Sequence, residues 1–255
     1  MATQKHTQSI LHNPTVTTPW PFRDTIQVLI GCITMHIIIL LLAGMHARNN
    51  TFDFLVSDDQ TFNGVLIYIV SASSFLLPLW YYLLKGKKRT FSDFGLIKLR
   101  LFKIIQMVLL GYGLLFLLSI IVWILTETMS IHIPGLNPQE DVLPVFGSGK
   151  FAMSVAGIIA IIIAPILEEI FFRGFLLKSL MTKYPFYVAS ILTAGIFAFV
   201  HFQFESITGI FFLSLIINYI YKKSGNTTTA TIAFHMVNNA VAMAILLNLD
   251  KISVV

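Results

Sequence analysis

Long apolar stretches alternate with short polar ones along the whole chain. Apolar windows fall roughly at 26–45, 64–84, 104–125, 153–177, 186–202, 206–221 and 230–248, and a helix needs about 20 residues to cross about 30 Å of hydrocarbon. The pattern predicts an all-α, polytopic transmembrane helical bundle of about seven spans. Ser206 to Tyr221 is the shortest window, expected to lie with little tilt or partly in the interface. Four parts follow: a polar N-terminal tail over residues 1–24, three accessory transmembrane helices over 25–126, an extracytoplasmic loop over 127–150, and a four-helix core over 151–250 that carries the candidate chemistry. Pro134, Gly135, Pro138, Pro144 and Gly147 to Gly149 favour turns in that loop. Residues 1–23 lack a short apolar core followed by a small-residue cleavage site, so the first span is expected to be an uncleaved anchor. No internal repeat of the transporter kind is visible.

Composition sharpens this. Of 255 residues, 56% are hydrophobic and 11% charged, which excludes an ordinary soluble domain. The net charge of +5 does not indicate nucleic acid, because Lys and Arg lie in short segments between apolar runs without interleaved exposed aromatics. Topology explains it. Lys5, Arg23, the seven cations from Lys85 to Lys103, Arg173, Lys178, Lys183, Lys222 and Lys223 make 14 on one side, against Arg48, Lys150 and Lys251 on the other. The cation-rich side is expected to be cytoplasmic, with the N-terminus inside and the C-terminus outside. The segment Lys85 to Lys103 is either a topology determinant or a short amphipathic helix on anionic headgroups. The lone Cys32 rules out an intrachain disulfide and a CxxC metal site.

One span breaks its own pattern. Glu168, Glu169 and Arg173 stand inside the fourth apolar window, where a charge costs a few kcal/mol, so they form a functional-site hypothesis that requires partners. Residues four apart share a helix face, so Glu169 and Arg173 pair while Glu168 points about 100° away, free to face a cavity as general base or acid. Partners are expected across the Tyr184–Pro185 turn. Counted from it, Glu168 and His201 sit at similar heights on antiparallel helices, and His235 and Asn239, four apart on the last span, reach a comparable depth. Singly, each has an ordinary reading: an interfacial histidine, a core histidine, an amide that glues helices. Their coincidence with buried carboxylates favours chemistry. His36 has no such company and reads as packing.

A carboxylate and an imidazole flanking a water can deprotonate it for attack on a peptide carbonyl, and a second imidazole with an amide can hold the oxyanion. No cofactor is expected. Zinc on Glu168, His201 and His235 is the alternative, since that donor set suits it; no HExxH motif is present. Ser148, between Gly147 and Gly149, reads as turn chemistry.

At these residues the chain resembles the CAAX-processing and bacteriocin-processing (CPBP, or Abi) family of intramembrane endopeptidases. The motifs are Glu168 to Arg173 (EExxxR), Phe197 to His201 (FxxxH) and His235 to Asn239 (HxxxN), in order across consecutive spans. The resemblance implies a membrane endopeptidase in which Glu168 and His201 activate water, His235 and Asn239 support the oxyanion, and Glu169 and Arg173 hold the site together. It implies a peptide or membrane-protein substrate met in the lipid bilayer, no nucleic acid, and a multi-pass protein of the bacterial cytoplasmic membrane acting in bacteriocin, immunity or peptide-signal processing. The competing classes are a non-enzymatic membrane immunity or scaffold protein and a proton-coupled transporter. Oligomeric state has no signature in the sequence.

Overall fold

A computed structural model describes residues 17–52, 55–137, 139 and 143–252. Residues 1–16 of the expected tail, and 138 and 140–142 of the expected loop, lie outside the described residues. Seven helical segments take up the apolar windows: α1 Phe22–Asn49, α2 Gln60–Lys85, α3 Leu101–Thr128, α4 Lys150–Leu180, α5 Phe186–Val200, α6 Phe204–Lys223 and α7 Thr228–Ile252. No strand occurs among the described residues. All but α5 are long and apolar enough to cross a membrane, so this is a multi-pass helical membrane protein.

The short helix is not the one expected. α6 gains length from a 3-10 turn, Phe204–Ser206, and from Lys222 and Lys223, polar ends that an apolar window leaves out. α5 instead stops after 15 residues, about 22 Å of rise. Pro185 precedes its first turn, and beyond Val200 the backbone of Phe202 turns left-handed with φ +53°. That conformation costs a non-glycine residue about 1–3 kcal/mol and persists where its surroundings hold it, often beside functional groups.

The helices are interrupted by wide π turns at Trp80–Lys85, Ile124–Thr128, Ile159–Ile163 and Ile170–Leu177. The last of these carries Arg173. Such widenings recur at functional sites because they re-aim side chains within a continuous helix.

Two compact units result. One comprises Pro19–Thr90 and Asp141–Leu167. Within it α1 lies against α2, with Gly31 facing the Pro78 ring, and Asp59 caps α2 by accepting from the amides of Thr61 and Phe62. Phe146 fills a small core with Ala156 and Ile159.

The other comprises Phe91–Glu140 and Glu168–Val255, and it contains every residue of the candidate chemistry. Its core joins Met107 of α3, Ile216, Ile217 and Ile220 of α6, and Ala230 and Phe234 of α7. Gly111 lets the Phe234 ring lie directly on α3, where any β-carbon would collide with it. Residues 91–100 are not an amphipathic helix. They form one 3-10 turn, Phe91–Phe94, and then an extended run stitched to the start of α7: the Thr228 amide donates to Gly95 O at 3.0 Å and the Thr229 hydroxyl to Ile97 O at 2.7 Å. Lys178 donates to Asp93 O at 2.7 Å, and the Phe94 backbone presses on Gly174, where an added β-carbon would lie 2.5 Å from Phe94 O. The residue after Arg173 is therefore obliged to be glycine.

Candidate active site

Glu169 and Arg173 are fully buried, which for a charge pair in an apolar bundle demands that nearly every hydrogen-bonding position be used. Arg173 meets that demand. Nη1 donates to Glu169 Oε1 at 2.9 Å, Nε to Asn218 Oδ1 at 3.0 Å, and Nη2 to the hydroxyl and carbonyl of Ser214 at 2.7 and 3.2 Å. The Phe197 ring lies 4.7 Å from Cζ, a cation–π contact on the guanidinium face. Asn218 is itself anchored, its Nδ2 donating to the carbonyl and hydroxyl of Ser190 at 3.0 and 3.1 Å. α4, α5 and α6 are thus tied together through one guanidinium.

Glu169 Oε1 accepts a second hydrogen bond, from Nδ1 of His235 at 2.9 Å. Oε2 is buried without a hydrogen bond; the Thr231 hydroxyl stands near the carboxylate, but it donates to Thr228 O at 2.9 Å. Since the carboxylate can only accept, the proton of the His235 ring is on Nδ1, and Nε2 faces the other way. There it lies 3.9 Å from Glu168 Oε2, too long for a hydrogen bond and suited to a shared water. The Glu168 side chain is 29% exposed, in contrast to its neighbour. Helical geometry within α4 separates the two carboxylates into a sealed one and an open one.

His201 ends α5. Its Nδ1 donates to Phe197 O at 2.6 Å, which leaves Nε2 with the free lone pair. It joins the cluster through the Phe197 ring, whose centroid is 4.5 Å from that of His201 and 6.2 Å from that of His235. Asn239 is half-buried one turn beyond His235 on α7. The structure therefore brings Glu168, Glu169, Arg173 and His235 into direct relation, and links His201 to them through Phe197. For zinc, Glu168, His201 and His235 would have to converge; among the described residues no three His, Cys, Asp or Glu side chains are grouped so as to hold a metal ion.

Residues 150–241 match the family model of the type II CAAX prenyl endopeptidase Rce1-like family. The segment is a Rce1-like endopeptidase domain. The matched segment contains Glu168, Glu169, Arg173, His201, His235 and Asn239, and it marks the protein as a peptide hydrolase. No curated protein and no solved structure matches the chain.

Three residues of the Rce1-like domain escape the motif reading: Ser190, Ser214 and Asn218. A signal existed. Ser214 and Asn218 stand four apart in an otherwise apolar span, so they share a face, and a polar face inside a membrane helix points at a polar partner. Replacing Asn218 with Ala strands the Nε of a buried guanidinium and a hydroxyl on Ser190. The expected loss is about 1–3 kcal/mol of stability, read from thermal unfolding in detergent, with Asn218→Ser recovering part of it.

Proposed function

We propose that the Rce1-like domain hydrolyses a peptide bond with water activated by Glu168, acting on a peptide or membrane-protein substrate in the bacterial cytoplasmic membrane. The observation that carries this is the 3.9 Å gap between Glu168 Oε2 and His235 Nε2, with Glu169 fixed on the far nitrogen of the same ring. A water in that gap meets a half-exposed carboxylate that can take its proton, and His201 Nε2 is a second acceptor. His235 Nε2, when it carries a proton beside the one on Nδ1, and the Asn239 amide are the donors for the oxyanion formed as water adds to the carbonyl. Collapse of that intermediate expels the amine, which takes the proton held by Glu168.

Processing of bacteriocins, immunity peptides or peptide signals is the biological role that the family resemblance suggests. The test uses purified protein in liposomes and an internally quenched CAAX peptide, prenylated and unprenylated, alongside comparison of the membrane and secreted peptides of cells carrying wild type or Glu168→Ala. Cleavage that disappears in the variant and persists in strong chelators is the expected result. Loss on chelation with recovery on zinc would replace the mechanism with the metal-dependent one, and identical peptide profiles would remove the function.

A further inference from the structure

α3 and α6 leave a groove between them. Ile97, just before α3, is hydrogen-bonded to Thr229 at the start of α7, so α3 begins where α6 ends and the two run antiparallel. The groove follows Leu114 to Ile121 on one helix and Tyr219 to Phe212 on the other, about 10 Å along the bundle, and its volume is about 430 Å³. Leu114, Leu118 and Ile216 form its floor and belong to the core around Phe234. Ile121, Phe212 and Tyr219 form its rim, each more than a third exposed. Every lining side chain is apolar except for the Tyr219 hydroxyl.

One end of this groove is charged and the other is not. Lys223 stands one turn beyond Tyr219, and its Nζ lies 5.3 Å from the centroid of the Tyr219 ring, so the ammonium is held at the mouth of the groove. Lys103 is eleven residues before Leu114, which at about 100° per residue returns it to the same face of α3, about 16 Å further toward the same end. Neither 104–126 of α3 nor 206–221 of α6 contains a charged residue, so nothing of either sign stands along the slot or at its far end on these helices.

A cation that only sets topology needs no particular neighbour. Here the charge is fixed over an aromatic ring where an apolar slot opens, which is the division of a phospholipid: a chain to bury and a phosphate to neutralise. By the distribution of cations this end is cytoplasmic, and the cytoplasmic leaflet is where anionic lipids attract Lys and Arg.

We propose that the groove between α3 and α6 seats one anionic phospholipid, with an acyl chain along Leu118 and Ile216 and the phosphate at Lys223 and Lys103. The lipid bridges the two helices. On another face, α6 presents Ser214 and Asn218 to Arg173, so a lipid that fixes α6 against α3 also steadies the helix on which the buried guanidinium depends. The site does not rest on the hydrolytic reading above.

Tryptophan fluorescence in vesicles tests it. On a Trp80→Phe/Trp123→Phe chain the remaining Trp20 is buried, and Tyr219→Trp places a reporter in the groove, with Phe212→Trp serving if the first fails to accumulate. The vesicles contain phosphatidylglycerol or phosphatidylcholine with brominated chains, which quench an indole they touch. Brominated phosphatidylglycerol is expected to quench at the lower mole fraction, by about fivefold for each cation at the phosphate. The preference is expected to shrink with Lys223→Gln and to vanish when Lys103→Gln is added. Leu109→Trp, an exposed position on a different face of α3, is expected to show no preference. Equal quenching by both lipids at Tyr219→Trp, the same preference at Leu109→Trp, or a preference unchanged by Lys223→Gln with Lys103→Gln overturns the site. Relief of the quenching by prenylated CAAX peptide also overturns it, because the groove would then belong to substrate.

Discussion

Glu168→Gln is expected to abolish peptide cleavage and to leave the protein folded. The substitution is nearly isosteric, and the side chain it changes is part-exposed with His235 Nε2 3.9 Å away, so the direct hydrogen bonds of the buried Arg173–Glu169 pair all remain. What disappears, in the proposed mechanism, is the acceptor for the water proton. General-base assistance contributes about 10²–10⁴ in rate, and because the same group returns the proton to the leaving amine, the loss should lie at the upper end of that range. Turnover of the quenched CAAX peptide measures it, with an unchanged thermal midpoint as the control. Activity within a few-fold of wild type would transfer the base to His201.

Arg173→Met has the opposite signature, a protein that fails to hold together. Arg173 and Glu169 are both fully buried, and the guanidinium also ties Asn218 and Ser214 of α6 to α4. Removing one member of a buried pair leaves an uncompensated charge and costs about 3–5 kcal/mol, and Met fills a similar volume, so the loss is electrostatic rather than a cavity. Adding Glu169→Gln to Arg173→Met removes the stranded charge and should restore part of the stability while leaving the enzyme inactive, because His235 loses the carboxylate on Nδ1. Thermal unfolding in detergent separates the two variants. A double variant no more stable than the single one would show that the network acts through packing alone.

The positions of the helices and the pairing of Glu169 with Arg173 can be read along the chain, because both are local. A 20-residue apolar run has few choices in lipid but to satisfy its own backbone as a helix, and residues four apart meet whatever the rest of the chain does. The same rule parted Glu168 from Glu169. Which helices meet, and at what height, emerges once they pack. Glu169 takes His235, 66 residues away, as its second partner, and Arg173 takes Asn218, 45 away. Those pairings depend on how far each helix is rotated and slid against its neighbours, which is set by contacts such as the Phe234 ring on Gly111 and Phe94 on Gly174. They also depend on a left-handed residue, Phe202, that ends α5 early. Composition cannot signal that stop, since phenylalanine has no preference for it. The charged residues of the candidate site were legible in one dimension; their partners on other helices exist only in three.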